Sequence, residues 1–226
     1  MDHLQTTQRT VEKTADGSNT IYLPLLDEHY HSVKGALTES MHVFIDCGLH
    51  HTSKKSVRLL EIGFGTGLNA LLTALDSSCR IEYFTVERFP LDPGIMQQTG
   101  YFDLPDPKEA LLMKSLHQAP WDIDVEITPD FTIHKILADF TDRHCFLPDA
   151  LDVVYFDAFA PEKQPEMWSE EIFRRIFSLM TPGGILTTYC AKGMIRRRLQ
   201  AVGFSVERLP GPPGGKREII RAVRPL

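Results

Sequence analysis

The chain lacks any apolar run near the roughly 18 to 20 residues that a membrane-spanning helix needs. Its opening, MDHLQTTQRTVEKTADG, is polar and mixed in charge, unlike a secretory leader, so the expectation is a cytoplasmic protein with no membrane partner. Cysteine is scarce: Cys47, Cys79, Cys145 and Cys190 lie far apart, form no CxxC and have no paired histidines at ligand spacing. That excludes a disulfide framework and a structural zinc site, and no metal is expected. There is no GxxxxGK[ST] segment, which argues against a P-loop nucleotidase. Internal repeats, low-complexity tracts and long linkers are also missing, so 226 residues fit one core in one domain.

Excess positive charge is absent overall, with 24 Lys and Arg against 30 Asp and Glu. The average conceals a segregation. From Arg174 to Leu226 there are eleven Lys or Arg against two acids, a balance of +9, whereas residues 1–173 carry −15. Such a tail either presents a local positive face to phosphates or serves solubility and helix ends.

Residues 1–55 read as an N-terminal extension, with a helix beginning near Thr38, and residues 56–226 as the main domain. From Val57 the pattern is strand, tight turn, helix, strand: VRLLEIG, then TGLNALLTAL, then IEYFTVE. Further strands are expected near ITPDFTIHKILAD, LDVVYFDAF and GGILTTYC, with helices at EMWSEEIFRRIFSLM and KGMIRRRLQAV. Buried strands alternating with helices imply a mostly parallel sheet covered on both faces. SVERLPGPPGGKREIIRAV breaks the alternation and predicts an antiparallel hairpin at one edge.

Gly63, Gly65 and Gly67 stand in EIGFGTGLN, where the first strand hands over to its helix. Glycines there let the backbone approach a ligand, with Phe64 inside the same turn. The spacing is GxGxG, with Leu68 where a dinucleotide fingerprint has its last glycine. Glu61 would repel pyrophosphate at the strand end and suits a cationic amino-acid head group, which tilts the cofactor from a nicotinamide dinucleotide toward S-adenosylmethionine. Glu87 ends the second strand, where doubly wound folds place an acid on ribose hydroxyls. In ILADF, Asp139 can accept from an adenine amino group while Phe140 packs on the ring, or Asp139 can simply cap a helix.

LDVVYFDAFAPEKQPEMW places Asp157 at the carboxyl end of a buried strand, where open α/β sheets bind ligands. Asp157 there is either a turn acid or the residue that orients an amine and takes its proton. Phe159 and Trp168 either stack on a planar base or belong to the core.

Three segments taken together, EIGFGTGLN, DAFAPEKQPEMW and TTYCAKGMIRRRLQAVGF followed by GPPGGKRE, resemble the methyltransferase domain of the MnmC family, as does YHSVKGALTESMHVF. The resemblance runs from about His29 to Val223. It implies a class I S-adenosylmethionine-dependent methyltransferase fold, Rossmann-like, with a mostly parallel seven-stranded sheet and an antiparallel C-terminal hairpin. It further implies N-methylation of 5-aminomethyl-2-thiouridine at the tRNA wobble position. Carried over by motif, Glu61, Gly63, Gly65 and Gly67 would hold the methionine end of the cofactor, Glu87 the ribose, and Asp139 with Phe140 the adenine. Asp157 would face the substrate amine. Many family members continue into a flavin-dependent oxidase domain. This sequence stops at Leu226, so a stand-alone methyltransferase is expected, linked to enzymes that make the aminomethyl intermediate.

With tRNA as the expected partner, Arg197, Lys216 and Arg217 become candidates for backbone phosphate contacts, which weaken steeply with salt. Arg196, Arg197 and Arg198 cannot share one helix face. His29, His31 and Ser32 either line the base pocket or lie on the surface. Three other functions compete: the same fold methylating or aminopropylating a small amine, a nicotinamide-dependent oxidoreductase, and a non-catalytic binding module. Tolerance of free amines, a nicotinamide titration and consumption of the cofactor would separate them.

Overall fold

The computed structural model describes residues 9–76 and 78–226. Near the N-terminus, β1 (Thr10–Lys13), β2 (Asn19–Leu23) and β3 (Glu28–His29) form a small antiparallel sheet. A short helix, α1 (Ala36–Ser40), follows and widens into a π-helical stretch over Met41–Asp46. The start of α1 is tied to the small sheet by Asp16, whose carboxylate accepts from the Thr38 amide at 2.9 Å and hydroxyl at 2.8 Å.

The main body alternates β4 (Ser56–Ile62), α2 (Leu68–Leu75), β5 (Arg80–Glu87), α3 (Pro93–Gln98), α4 (Pro107–Gln118), β6 (Asp124–Thr128), β7 (Phe131–Leu137) and β8 (Leu151–Phe156). It continues with α5 (Glu170–Leu179), β9 (Met180–Thr188), α6 (Gly193–Val202), β10 (Ser205–Pro210) and β11 (Glu218–Val223). The sheet order is β10-β11-β9-β8-β4-β5-β7-β6. The five central strands, β9 to β7, run parallel, and the expected C-terminal hairpin closes one edge antiparallel.

The sheet has eight strands, one more than the seven expected. ITPDFTIHKILAD contains the difference: Pro129 and Asp130 turn the chain between Thr128 and Phe131, and β6 folds back antiparallel on β7. α4 is a second element the hydrophobic pattern left unread. Its start carries a readable signal, Pro107 in the first turn behind Asp106, whose side chain accepts from the Lys108 amide.

Residue parity on the strands separates two cores. Val57 and Leu59 of β4 face α2 and α4, whereas Leu60 and Ile62 face α5 and α6. Trp168 belongs to the second core. It is fully buried, with its ring edge-on to Phe156 at 4.8 Å, and its indole Nε1 donates to the Phe159 carbonyl at 2.8 Å. It is therefore not the base-stacking residue suggested by its sequence position. Among the described residues no helix is long and apolar enough to cross a membrane.

Trp168→Ala should lower unfolding free energy by about 3–5 kcal/mol, the usual cost of truncating a large buried aromatic. Denaturant unfolding of the two proteins checks it, and a loss under 1 kcal/mol would contradict this placement.

Candidate active site

A cavity of about 710 Å³ opens at the carboxyl ends of the parallel strands, a size typical of small-molecule sites. Its floor is the glycine turn. Gly63, Gly65 and Gly67 have φ of 94°, 51° and 75°, the left-handed region that glycine enters without strain. Gly63 and Gly65 line the cavity with Phe64. A Cβ on Gly63 would stand 3.1 Å from the Asp157 carbonyl, and one on Gly65 would stand 3.2 Å from the Tyr30 ring. Gly67 does not line the cavity; it starts α2, and a Cβ there would meet His117 and Phe64 at 3.0 Å.

Glu87 reaches the turn from the end of β5. Its carboxylate accepts from the Gly65 amide at 3.1 Å and the Phe89 amide at 2.7 Å, while burial raises its pKa against these bonds. Asp139 and Phe140 lie on the rim after β7. Asp139 caps its own loop, accepting from the Thr141 amide and hydroxyl, and pairs with Arg88. The loop is held from α5 by Arg175, which donates to the carbonyls of Phe140, Asp142 and Cys145 at 2.7–2.8 Å.

Asp157 follows β8 and accepts from Asn69 Nδ2 at 2.9 Å. Burial pushes its pKa up to about 7, nearby Glu39 adds to the rise, and Asn69 and Lys216 oppose it. Asn69 also lines the cavity, and its Oδ1 has no partner among the described residues.

The N-terminal segment supplies one wall. Tyr30 lies edge-on to Phe159 at 5.2 Å. His31, kept neutral by burial that lowers its pKa to about 4, meets the Thr66 hydroxyl at 2.6 Å. His29 also lines the cavity and is paired with Glu12. Ser32 donates its amide to Glu39, and Glu39 holds Lys216 at 2.6 Å.

Thus the cavity gathers Gly63, Phe64, Gly65, Glu87, Asp139, Phe140 and Asp157 with His31, Ser32, Phe159 and Lys216. Four expected residues besides Gly67 lie outside it. Glu61 alternates onto the α2/α4 face of β4, where it is wholly buried and accepts from the Thr85 hydroxyl at 2.8 Å. Burial pushes its pKa up to about 8, and it does not line the cavity. Trp168 is in the core, and Arg197 and Arg217 are exposed on α6 and on the hairpin turn. Lys216 does line the cavity and pairs there with Glu39. Most of the basic tail is likewise engaged internally: Arg198 donates to the Trp168 carbonyl, Arg224 to that of Phe177, and Arg208 and Arg221 pair with Glu218 and Glu207. The sequence reasoning missed Tyr30, Glu39, Asn69, Arg175 and Tyr189, of which only Asn69, beside the glycine turn, was within local reach. Among the described residues no group of three or more His, Cys, Asp or Glu can hold a metal ion.

Residues 107–225 match a family described as S-adenosyl-L-methionine-dependent methyltransferase. Two similar proteins, from Cupriavidus necator and Pseudomonas fluorescens, are each named tRNA 5-methylaminomethyl-2-thiouridine biosynthesis bifunctional protein MnmC. They are 31% and 32% identical to this chain over 90% and 87% of its length. The chain spans about a third of the length of these relatives. Among solved structures, MnmC2 from Aquifex aeolicus superposes with a TM-score of 0.77 at 25% identity, covering 96% of this chain and 70% of that one. Spermidine synthase from Thermotoga maritima shares the fold, with a TM-score of 0.61 at 13% identity over 96% of this chain and 69% of that one.

Gly65→Val should weaken S-adenosyl-L-methionine binding about tenfold or more, because a β-branched residue in the left-handed region costs of order 1–3 kcal/mol and crowds Tyr30. Isothermal titration checks it, and unchanged affinity would move the cofactor elsewhere.

Proposed function

The chain belongs to the S-adenosyl-L-methionine-dependent methyltransferase family, and from that premise we propose that it methylates the nitrogen of the 5-aminomethyl group on a tRNA wobble uridine. The substrate is 5-aminomethyl-2-thiouridine and the product its 5-methylaminomethyl form. Likeness over nine-tenths of the chain to proteins named for that biosynthesis supports the substrate. The observation that carries the chemistry is Asp157, a cavity-lining carboxylate with a pKa near 7 held by a single side-chain hydrogen bond.

The cavity fits the cofactor: two glycines at which a Cβ would crowd the cradle line it, with Glu87 at the end of β5 beside them. When bound, S-adenosyl-L-methionine supplies a methyl group on a sulfonium, which departs without its bonding electron pair. Gly63 to Gly65 let the backbone approach the ligand. Glu87, which accepts from the Gly65 and Phe89 amides, reaches the cavity where ribose hydroxyls would lie. Asp139 and Phe140 flank the adenine end, with Arg175 fixing their loop.

Asp157 accepts the proton that the substrate ammonium must lose before its lone pair can attack. The Asn69 amide fixes one Asp157 oxygen, which aims the other, and so sets the direction of the amine. Only the ionised carboxylate can take a proton, so activity from this group appears as pH rises through about 7. Arg197 and Arg217 meet the tRNA backbone, adding affinity without reading sequence.

The defining experiment supplies methyl-labelled S-adenosyl-L-methionine and tRNA that stops at the aminomethyl stage, then identifies the labelled nucleoside. Label in 5-methylaminomethyl-2-thiouridine is the expected result, and no labelled nucleoside would overturn the proposal. The pH profile of kcat/KM should rise through about 7 as Asp157 ionises. Asp157→Asn should lose the rising limb near 7 along with at least about 100-fold in rate. Replacing Arg197 and Arg217 with Gln should reduce the salt slope of tRNA binding by about 1 for each phosphate that is no longer neutralised. An unaltered slope would remove them from the interface.

A further inference from the structure

Lys216 stands on the turn between β10 and β11, with its side chain 40% exposed, yet its ammonium points into the cavity. There it meets two groups suited to a cation. Glu39 Oε1 lies at 2.6 Å, and the centroid of the Tyr189 ring at 4.3 Å. Both are fixed before any ligand arrives. Glu39, 11% exposed at its side chain, accepts the Ser32 amide at its other oxygen, and the Tyr189 hydroxyl donates to the Ala158 carbonyl at 2.8 Å. Asp157 lines the same cavity as both members of the pair.

A lysine side chain ends in a methylene bearing an ammonium, and so does an aminomethyl group. The same seat therefore suits both. Resting on the amine-methylation reading above, we propose that Glu39 and the Tyr189 ring form the recognition seat for the substrate ammonium, and that Lys216 occupies it until substrate displaces it. Lys216 is able to leave: its stem is solvent-accessible, and Pro213, Gly214 and Gly215, which precede it in the turn, are exposed. The seat places an incoming ammonium beside Asp157, the group that takes its proton. A placeholder of this kind lowers apparent affinity by the fraction of molecules in which the seat is open, and its removal restores that factor.

The test uses the whole chain and free 5-aminomethyluridine, a probe with no phosphate, titrated by calorimetry. Lys216→Met and Lys216→Gln should each bind the nucleoside more tightly, by about tenfold if the seat is open in a tenth of molecules. Glu39→Gln should bind it more weakly than the wild type. Equal or weaker binding by both Lys216 variants would overturn the placeholder, and unchanged binding by Glu39→Gln would overturn the seat. Methyl transfer by the wild type to aminomethyl tRNA, run alongside, separates the two readings. Transfer with no gain in the Lys216 variants sinks this inference alone, whereas no transfer sinks the amine reading beneath it.

Discussion

The site depends on one stretch of backbone, the turn from Gly63 to Gly67, which must stay left-handed at three positions at the end of the central strand β4. Glycine makes that conformation accessible but does not select it, because the same freedom lets the turn relax elsewhere in the unfolded chain. Selection comes from groups that bond the turn from outside. Glu87 on β5 holds the Gly65 amide, His31 holds the Thr66 hydroxyl, and His117 holds the Thr66 carbonyl at 2.9 Å. Three separated segments converge on two residues of the turn. The cradle is therefore as rigid as the packing of the sheet, α4 and the N-terminal segment against it.

His117 can do this because α4 is anchored beneath it. Lys135 on β7 is almost fully buried and donates to the carbonyls of Leu116 and His117 at 3.0 and 2.9 Å, filling acceptors that the helix end leaves open. Its ammonium also lies over the Trp121 ring at 4.7 Å. A buried lysine is costly in isolation. Here two carbonyls and an aromatic face offset that cost and fix the end of the helix that carries His117. The chain of contacts runs from Lys135 through α4 to Thr66 and on to His31 at the cavity wall.

Much of this fold was legible because its signals are local. Apolar runs ending in glycine, a helix opening at TGLN and a Pro/Gly hairpin turn each fix their own segment. The eighth strand escaped because one apolar pattern spans the turn at Pro129 and Asp130, and α4 escaped although Asp106 and Pro107 mark its start. The site was legible only along strand ends. Gly63, Gly65, Glu87 and Asp157 follow from the rule that ligands sit beyond the carboxyl ends of parallel strands. The alternation of side chains across β4 took Glu61 away from the cavity, and close packing took Trp168. The pairing of Glu39 with Lys216 joins residues 177 apart in the chain, and no local pattern carries such information.

The distribution of partners among the cavity's carboxylates explains which of them is suited to move a proton. Asp139 has Arg88 and two donors from Thr141, Glu39 has Lys216 and the Ser32 amide, and Glu87 holds backbone amides that include those of Gly65 and Phe89. Asp157 has one neutral amide from Asn69, and burial raises its pKa to about 7. A carboxylate engaged by cations or several donors has its lone pairs committed to holding its neighbours. One that is buried and sparsely bonded shares a proton readily near neutral pH. Asp139, Glu39 and Glu87 are engaged in holding the cavity wall, whereas Asp157 keeps one oxygen without a hydrogen-bond partner among the described residues, which is why the proposed function gives it the role of base.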